Sequence, residues 1–290
     1  MESRLQIWTA ACRPKTLVAS ISPSCLAVAL SLSEGFLSPL AFLLTLLTGI
    51  LIQIGTNLTN DYCDFMKGAD TEERKGFLRV SQAGLVSASS MKQAILTVFF
   101  LAMLTGSYLT FIGGAYIALI LAIYILLSVL YTAGPLPLGY LGLGDLFVFV
   151  LYGPIACLIA YYLQTGSLSA SALLLGLCPG AFSTAIICLN NLRDIDEDRK
   201  AGKNTLIVRF GKKWGKLEYT SMMLLPFCLV IPLALSHPFT LVSFISFPQA
   251  CFLIYAVQRN ENPYELNTLF TKTGQVFALF TFLLFIGLLL

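Results

Sequence analysis

Long apolar runs separated by short polar stretches dominate the chain. Runs long enough to cross a hydrocarbon core, about 20 residues, fall at 15–33, 39–60, 92–110, 113–132, 144–163, 170–190, 217–235, 239–257 and 273–290. They predict an all-α, polytopic membrane protein of nine transmembrane helices around a central cavity, folded as one membrane-embedded domain over 1–290. Two runs are marked by their breaks. The pair 92–110 and 113–132 is joined at Gly113-Gly114, and 239–257 contains Pro248.

Against this apolar background two polar stretches stand out. One is Asn57-Leu-Thr-Asn60-Asp61-Tyr62-Cys63-Asp64. The other is Asn190-Asn191-Leu-Arg193-Asp194-Ile-Asp196-Glu197-Asp198. Each begins with Asn, has Asp four residues on, and adds a further Asp three or four residues later. On a helix such positions share a face, so Asn57, Asp61 and Asp64 form one stripe and Asn190, Asp194 and Asp198 another. Carboxylates are costly beside lipid, which makes such clusters functional candidates. One run alone reads equally well as caps and interface polarity; two with a shared spacing argue for a site.

The surroundings repeat at an offset of 133 residues. Asn57 pairs with Asn190 and Asp61 with Asp194, and downstream lie Lys67-Gly68 in one and Gly202-Lys203 in the other. Two related helical units would bring their acidic ends together, as sites in helical bundles form from facing helices.

Oxygen ligands without Cys or His suit Mg²⁺ or Mn²⁺. Mg²⁺ takes one or two carboxylates, waters and substrate phosphates. The expected ligands are Asn57, Asp61, Asp64, Asn190, Asp194 and Asp198, holding two Mg²⁺ ions that bridge a diphosphate. Lys67, Arg74, Arg79, Arg193, Arg199 and Lys203 lie nearby to neutralise the remaining phosphate charge. Two soluble motifs fail. An EF-hand loop from Asp194 would need Gly at Arg199 and Glu at Thr205, and a phosphate-binding loop would need Ser or Thr at Asn204.

Composition and charge fix the compartment. Of 290 residues 57% are apolar and 11% charged, with a mean hydropathy of +0.81; soluble domains carry about 25% charged residues. With nine spans, all 18 Lys and Arg fall on one side: the N-terminal end and the loops after spans two, six and eight. Basic loops stay in the cytoplasm. The expectation is a multi-pass protein of the plasma (inner) membrane, with its N-terminus and both acidic runs cytoplasmic and its C-terminus outside. Arg4 and Arg13 before the first run look like a signal peptide, but that run's length and the eight runs after it predict an uncleaved helix. A net charge of +3 and no basic stretch interleaved with aromatics exclude nucleic acid as the expected partner. Eight dispersed cysteines form no zinc or disulfide framework.

These motifs resemble the UbiA superfamily of intramembrane prenyltransferases. The matching segments are Arg13-Pro14-Lys15-Thr16-Leu17, Asn57 to Asp64 with Lys67-Gly68-x-Asp70, Gln82-x-Gly84, Tyr131-Thr132-x-Gly134-Pro135, Gly142-x-Gly144-Asp145, and Asn190-Asn191-x-Arg193-Asp194 through Gly202-Lys203-x-Thr205-Leu206. They run in order over residues 13 to 206. Asp64-Phe65-Met66-Lys67-Gly68-Ala69-Asp70 and Gly202-Lys203-Asn204-Thr205-Leu206 resemble the branch that prenylates 1,4-dihydroxy-2-naphthoate in menaquinone biosynthesis. Phe77 departs from the pattern, standing where relatives place Pro.

The resemblance implies a cytoplasmic cap over a metal site, and transfer of a polyprenyl group from an allylic polyprenyl diphosphate to the naphthoate with loss of its carboxylate as CO₂. Asp61, Asp64, Asp194 and Asp198 would hold the metal, with Asn57, Asn60 and Asn190 beside them. A dry cavity protects the allylic cation, and aromatic faces stabilise it, with Tyr131 and Tyr62 as candidates. Asp70 and Lys203 are candidates to orient the acceptor or handle a proton. Asp145 reads as a cap of span five. Two alternatives stay open: another aromatic acceptor, such as 4-hydroxybenzoate, and an ion-coupled transporter, which shares internal similarity but would place its charges at midplane.

Overall fold

A computed structural model describes residues 3–68, 76–135 and 137–290, and every regular element among the described residues is a helix. Each of the nine predicted runs lies on helix. Seven stretches are long and apolar enough to cross a membrane: α3 (Pro39–Met66), α4 (Ala88–Gly113), the continuous stretch Gly144–Thr165 made of α6 (Gly144–Val150) and α7 (Ala156–Thr165), α8 (Ala170–Arg193), α11 (Lys212–Leu233), the stretch Pro238–Arg259 that ends in α12 (Phe247–Arg259), and α13 (Pro263–Leu289). An eighth arises if α1 (Arg4–Cys12) and α2 (Val18–Ser33) count as one span bent by 52°. The run 113–132 forms α5 (Ala115–Leu130), apolar but 16 residues long. At 1.5 Å per residue that is roughly 24 Å, short of the ~30 Å core.

The bend between α1 and α2 is written in the sequence. Ser3 and Gln6 cap α1 reciprocally, side chain to backbone, a capping box. At its far end Arg13 takes a left-handed backbone (φ 51°), and Pro14 follows. A left-handed conformation is uncommon for a residue with a Cβ.

The helices extend beyond the apolar runs at the end that carries the polar motifs. α3 continues from the predicted 60 to Met66, α8 runs to Arg193, and α11 and α13 begin at Lys212 and Pro263. Two short helices, α9 (Ile195–Lys200) and α10 (Leu206–Phe210), complete this end. The echoed glycines behave alike: Gly68 (φ 67°) and Gly202 (φ 72°) both take the left-handed turn that follows each acidic run, a conformation that costs Gly nothing.

α8 is the central helix. In its apolar window 78% of residues are buried, against 22% for α4, so α8 faces protein and α4 presents Leu96, Phe100, Leu104 and Phe111 outward. Glycine brings α8 against the Gly144–Thr165 stretch. A Cβ on Gly180 would sit 2.5 Å from the Phe149 carbonyl oxygen, and one on Gly176 would sit 2.6 Å from Pro154 Cα. Small residues let backbones touch where lipid gives no hydrophobic drive. Beside this contact the chain forms a π-turn at Leu151–Ile155 around Pro154, which cannot donate to a helical ladder. The Tyr124 hydroxyl donates to the Leu151 carbonyl at 2.6 Å. On the other side, Phe182 of α8 stacks on Phe277 (5.1 Å) and meets Phe280 (5.0 Å) of α13, and Phe227 of α11 meets Phe280 edge-on. Such pairs contribute about 0.5–1.5 kcal/mol each beyond burial.

Candidate active site

A cavity of about 700 Å³ opens among these helices, and both acidic runs contribute to its wall. Asn57, Asn60 and Asp64 line it from α3. Asn190, Asn191, Arg193, Asp194 and Asp198 line it from the end of α8 and the start of α9. The two runs are joined by one side chain: Lys203 Nζ lies 3.4 Å from Asp64 Oδ2 and 3.7 Å from Asp198 Oδ1. The backbone seats it, since Lys203 N donates to the Asp198 carbonyl at 2.8 Å and Asn204 N donates to the Tyr140 carbonyl at 2.8 Å.

On α3 the three stripe residues have different surroundings. Asp64 is buried and meets three donors: Arg79 Nη2 (3.3 Å), Lys203 Nζ (3.4 Å) and the Tyr140 hydroxyl (3.1 Å). Asn57 donates to the Cys12 carbonyl (3.0 Å) and to Thr16 (3.1 Å) and accepts from Gln53 (3.2 Å), tying α3 to the α1–α2 turn. Asp61 departs from the expectation. Its oxygens accept the backbone N–H groups of Val80 and Ser81, both at 3.1 Å, and it is not among the cavity walls. Successive helix residues rotate by about 100°, so Asp61 stands some 60° around α3 from Asp64. That turns it toward the segment carrying Arg79.

The second run does not lie on one helix, contrary to the stripe expectation. α8 stops at Arg193, Asp194 adopts φ −96°, ψ 11°, and α9 starts at Ile195. The break still leaves Asn190, Asp194 and Asp198 on the cavity. Arg193 organises them. Its Nε and Nη2 meet the two Asp194 carboxylate oxygens at 2.5 and 2.6 Å, Nη2 also donates to Asn190 (2.6 Å), and Nη1 donates to Asn267 of α13 (2.8 Å). A bidentate guanidinium–carboxylate pair is among the strongest polar contacts available.

The other expected residues divide. Tyr131 lines the cavity and Lys203 bridges it. Lys67 donates to the Thr132 carbonyl at 2.6 Å and lies 4.8 Å from the Tyr140 ring centroid, beside the cavity wall. Tyr62 packs in the cluster of Leu58, Val80 and Met91 instead of facing the cavity. Arg199 is 60% exposed and pairs with Asp196, because α9 points that face away from the cavity. Asp145 is buried in the first turn of α6, where Leu143 is the N-cap residue, and accepts from Asn191 at 3.4 Å. Asp70 and Arg74 lie outside the described residues.

Several residues at the wall or behind it carried no separate weight in the sequence. Tyr140 holds Asp64 and stacks under Lys67 and Lys203, at 4.8 and 4.9 Å. It sits between Gly139 and Gly142 in a stretch that reads only as a turn. Thr132 donates to Asn60, and Asn267 anchors Arg193 from a helix whose sequence gave only hydrophobicity.

The donor set fits a hard divalent cation that shares its shell with phosphate. Among the described residues no three His, Cys, Asp or Glu side chains gather closely enough to hold an ion alone. The cavity instead offers spaced oxygens at Asp64, Asp194, Asp198, Asn60 and Asn190. That is the protein share expected for Mg²⁺, which keeps waters and substrate phosphates in its octahedron.

Comparison with known proteins agrees with the geometry. The UbiA prenyltransferase family profile matches residues 21–285. The chain is 38% identical over 216 residues to 1,4-dihydroxy-2-naphthoate octaprenyltransferase of Escherichia coli K12, covering 72% of this chain and 70% of that one. It is 32% identical to the enzyme of the same name from Haemophilus influenzae, covering 100% and 98%. Among solved structures, a UbiA homolog from Archaeoglobus fulgidus bound to DMAPP and Mg²⁺ superposes with a TM-score of 0.65 at 16% identity, over 97% of this chain and 98% of that one. A cavity walled by two acidic helix ends and a profile match over nearly its whole length lead to one conclusion: the chain belongs to the UbiA prenyltransferase family.

Proposed function

We propose that the chain transfers a polyprenyl group from an allylic polyprenyl diphosphate to 1,4-dihydroxy-2-naphthoate, releasing diphosphate and CO₂. The observation that carries this is Lys203, which spans Asp64 of one acidic run and Asp198 of the other inside a mostly apolar cavity. The names of the curated relatives favour the naphthoate as acceptor.

In this reading Asp64, Asp194 and Asp198, with Asn60 and Asn190, would hold Mg²⁺. The ion, when bound, supplies Lewis-acid neutralisation of the leaving diphosphate. Arg79, Arg193 and Lys203 take the remaining negative charge that grows as the C–O bond breaks. Asp61 serves indirectly, fixing the Val80–Ser81 backbone and with it Arg79. The cavity wall excludes water from the allylic cation, and the Tyr131 face stabilises it by roughly 0.5–2 kcal/mol. The naphthoate ring carbon bearing the carboxylate attacks the cation. Breaking the bond to that carboxylate returns its electron pair to the ring and releases CO₂.

The reading includes nine spans in one membrane-embedded domain, with α1–α2 as the first and the short α5 as the fourth. The N-terminus is cytoplasmic in the inner membrane and the C-terminus outside. α9, α10 and the segment around Arg79 form the cytoplasmic cap. The test is turnover by purified protein with the naphthoate and labelled prenyl diphosphates of several lengths, with Mg²⁺ or with EDTA. Prenylated, decarboxylated product in Mg²⁺ alone is expected. Turnover of 4-hydroxybenzoate in preference, or substrate uptake without product, overturns the reading.

A further inference from the structure

Phe77 occupies a place that none of the steps above uses. It lies in the segment leading to Arg79, and its ring lines the cavity. Two cations sit against that ring: Lys15 Nζ is 4.8 Å from its centroid and Arg193 Cζ is 5.5 Å away. Both cations also line the cavity. Phe270 of α13 meets the ring at 5.1 Å and 63°, edge to face. Lys15 comes from the α1–α2 turn and donates to Thr271 of α13 at 3.2 Å. Thus one ring joins four parts of the chain: the α1–α2 turn, the segment before Arg79, the end of α8 and the start of α13.

Like charges near one another repel, and Arg193, which is buried, is screened less than the exposed Lys15. An aromatic quadrupole attracts both; Arg193 is already paired with the Asp194 carboxylate, whereas Lys15 donates to the neutral Thr271 hydroxyl. A ring at this place therefore holds the Lys15 charge beside the Arg193–Asp194 pair, where it can meet an anion in the cavity. We propose that Phe77 is a positioning residue for the diphosphate: its π-face holds the Lys15 ammonium at the cavity wall beside the Arg193–Asp194 pair, where the lysine receives the anionic head of the prenyl donor. This rests on the reading of the cavity as a diphosphate site. It also gives Lys15 a part in donor binding.

Cation–π contacts contribute about 0.5–1 kcal/mol exposed and about 2 kcal/mol when desolvated. At about 1.4 kcal/mol per tenfold, loss of the ring should weaken anion binding about 3–30-fold. The experiment uses calorimetry of inorganic pyrophosphate with Mg²⁺ on the full chain in detergent, followed by steady-state kinetics. Phe77→Leu should weaken pyrophosphate binding about 3–30-fold and raise KM for the prenyl diphosphate by a similar factor. Its kcat and its KM for the naphthoate should stay within twofold. Phe77→Tyr, which keeps the π-face, should restore binding to within twofold of the parent. If the leucine variant does not accumulate, 3,4,5-trifluorophenylalanine at position 77 keeps the shape while draining the ring's charge, and should reproduce the loss. Wild-type binding of pyrophosphate with equal binding by the leucine or fluorinated protein overturns the positioning role alone. An equal loss in the leucine and tyrosine variants does the same, since it marks packing as the cause. Absence of pyrophosphate binding by the parent protein overturns the diphosphate site itself.

Discussion

Asp61 and Asp64 lie three residues apart on α3 and meet different partners. Asp64 faces Arg79, Lys203 and Tyr140, whereas Asp61 holds two backbone amides. Their substitutions should separate accordingly. Asp64→Asn should cut kcat by about 10²–10³, the range for removing one group that acts on developing charge, and a single-turnover assay reads it directly. Asp61→Asn keeps one acceptor and loses the charge on two hydrogen bonds, each contributing about 1.5–3 kcal/mol when charge-assisted. A lowered melting temperature in detergent with a smaller kinetic loss is expected; a kcat loss matching that of Asp64→Asn at unchanged melting would return Asp61 to the metal. The spacing of carboxylates along a helix was readable from the sequence because side chains three and four apart share a face. What each carboxylate touches was not, because a stripe about 60° wide can border two neighbours. The same holds for Tyr62, whose ring packs against Val80 and Met91. Tyr140 was hidden for another reason: its role depends on a turn that brings Asn204 to it, a contact no local pattern encodes.

At the scale of elements, hydrophobicity located the helices and polarity obscured their ends. The apolar run ends at 60, yet α3 continues to Met66, with Asp61 and Asp64 buried and Phe65 and Met66 exposed. The opposite error occurs at Asp194, where an unbroken polar run conceals a break between α8 and α9. Glycine carries more information within the core. A Cβ on Gly180 would lie only 2.5 Å from Phe149 O, a backbone atom that cannot rotate away. Gly180→Ala should therefore separate α8 from the Gly144–Thr165 stretch and cost about 1–3 kcal/mol, the usual penalty for overpacking. Gly49→Ala provides the contrast, since its Cβ would meet Ser20 O at 3.6 Å, ordinary contact. Denaturation of both variants in one detergent decides the matter: equal stability would show that α8 can shift freely.

For the whole molecule the decisive quantity is the placement of charge. If α5 crosses the bilayer despite its 16 residues, every Lys and Arg shares one side with the cavity. A C-terminal alkaline phosphatase fusion should then be active and a C-terminal green fluorescent fusion dark. The reverse result would remove one span and move the C-terminus inside. Membrane thinning and snorkelling flanks accommodate a short helix at modest cost.

Arg193 completes its set of contacts only through Asn267, 74 residues later on α13. Synthesis therefore delivers both acidic runs before the last anchor of the Arg193 guanidinium, which lies within the second run. Biogenesis and competence are linked in this way: a chain halted before the final helix would leave Arg193 without Asn267, and the second acidic run would lack the contact that ties it to α13.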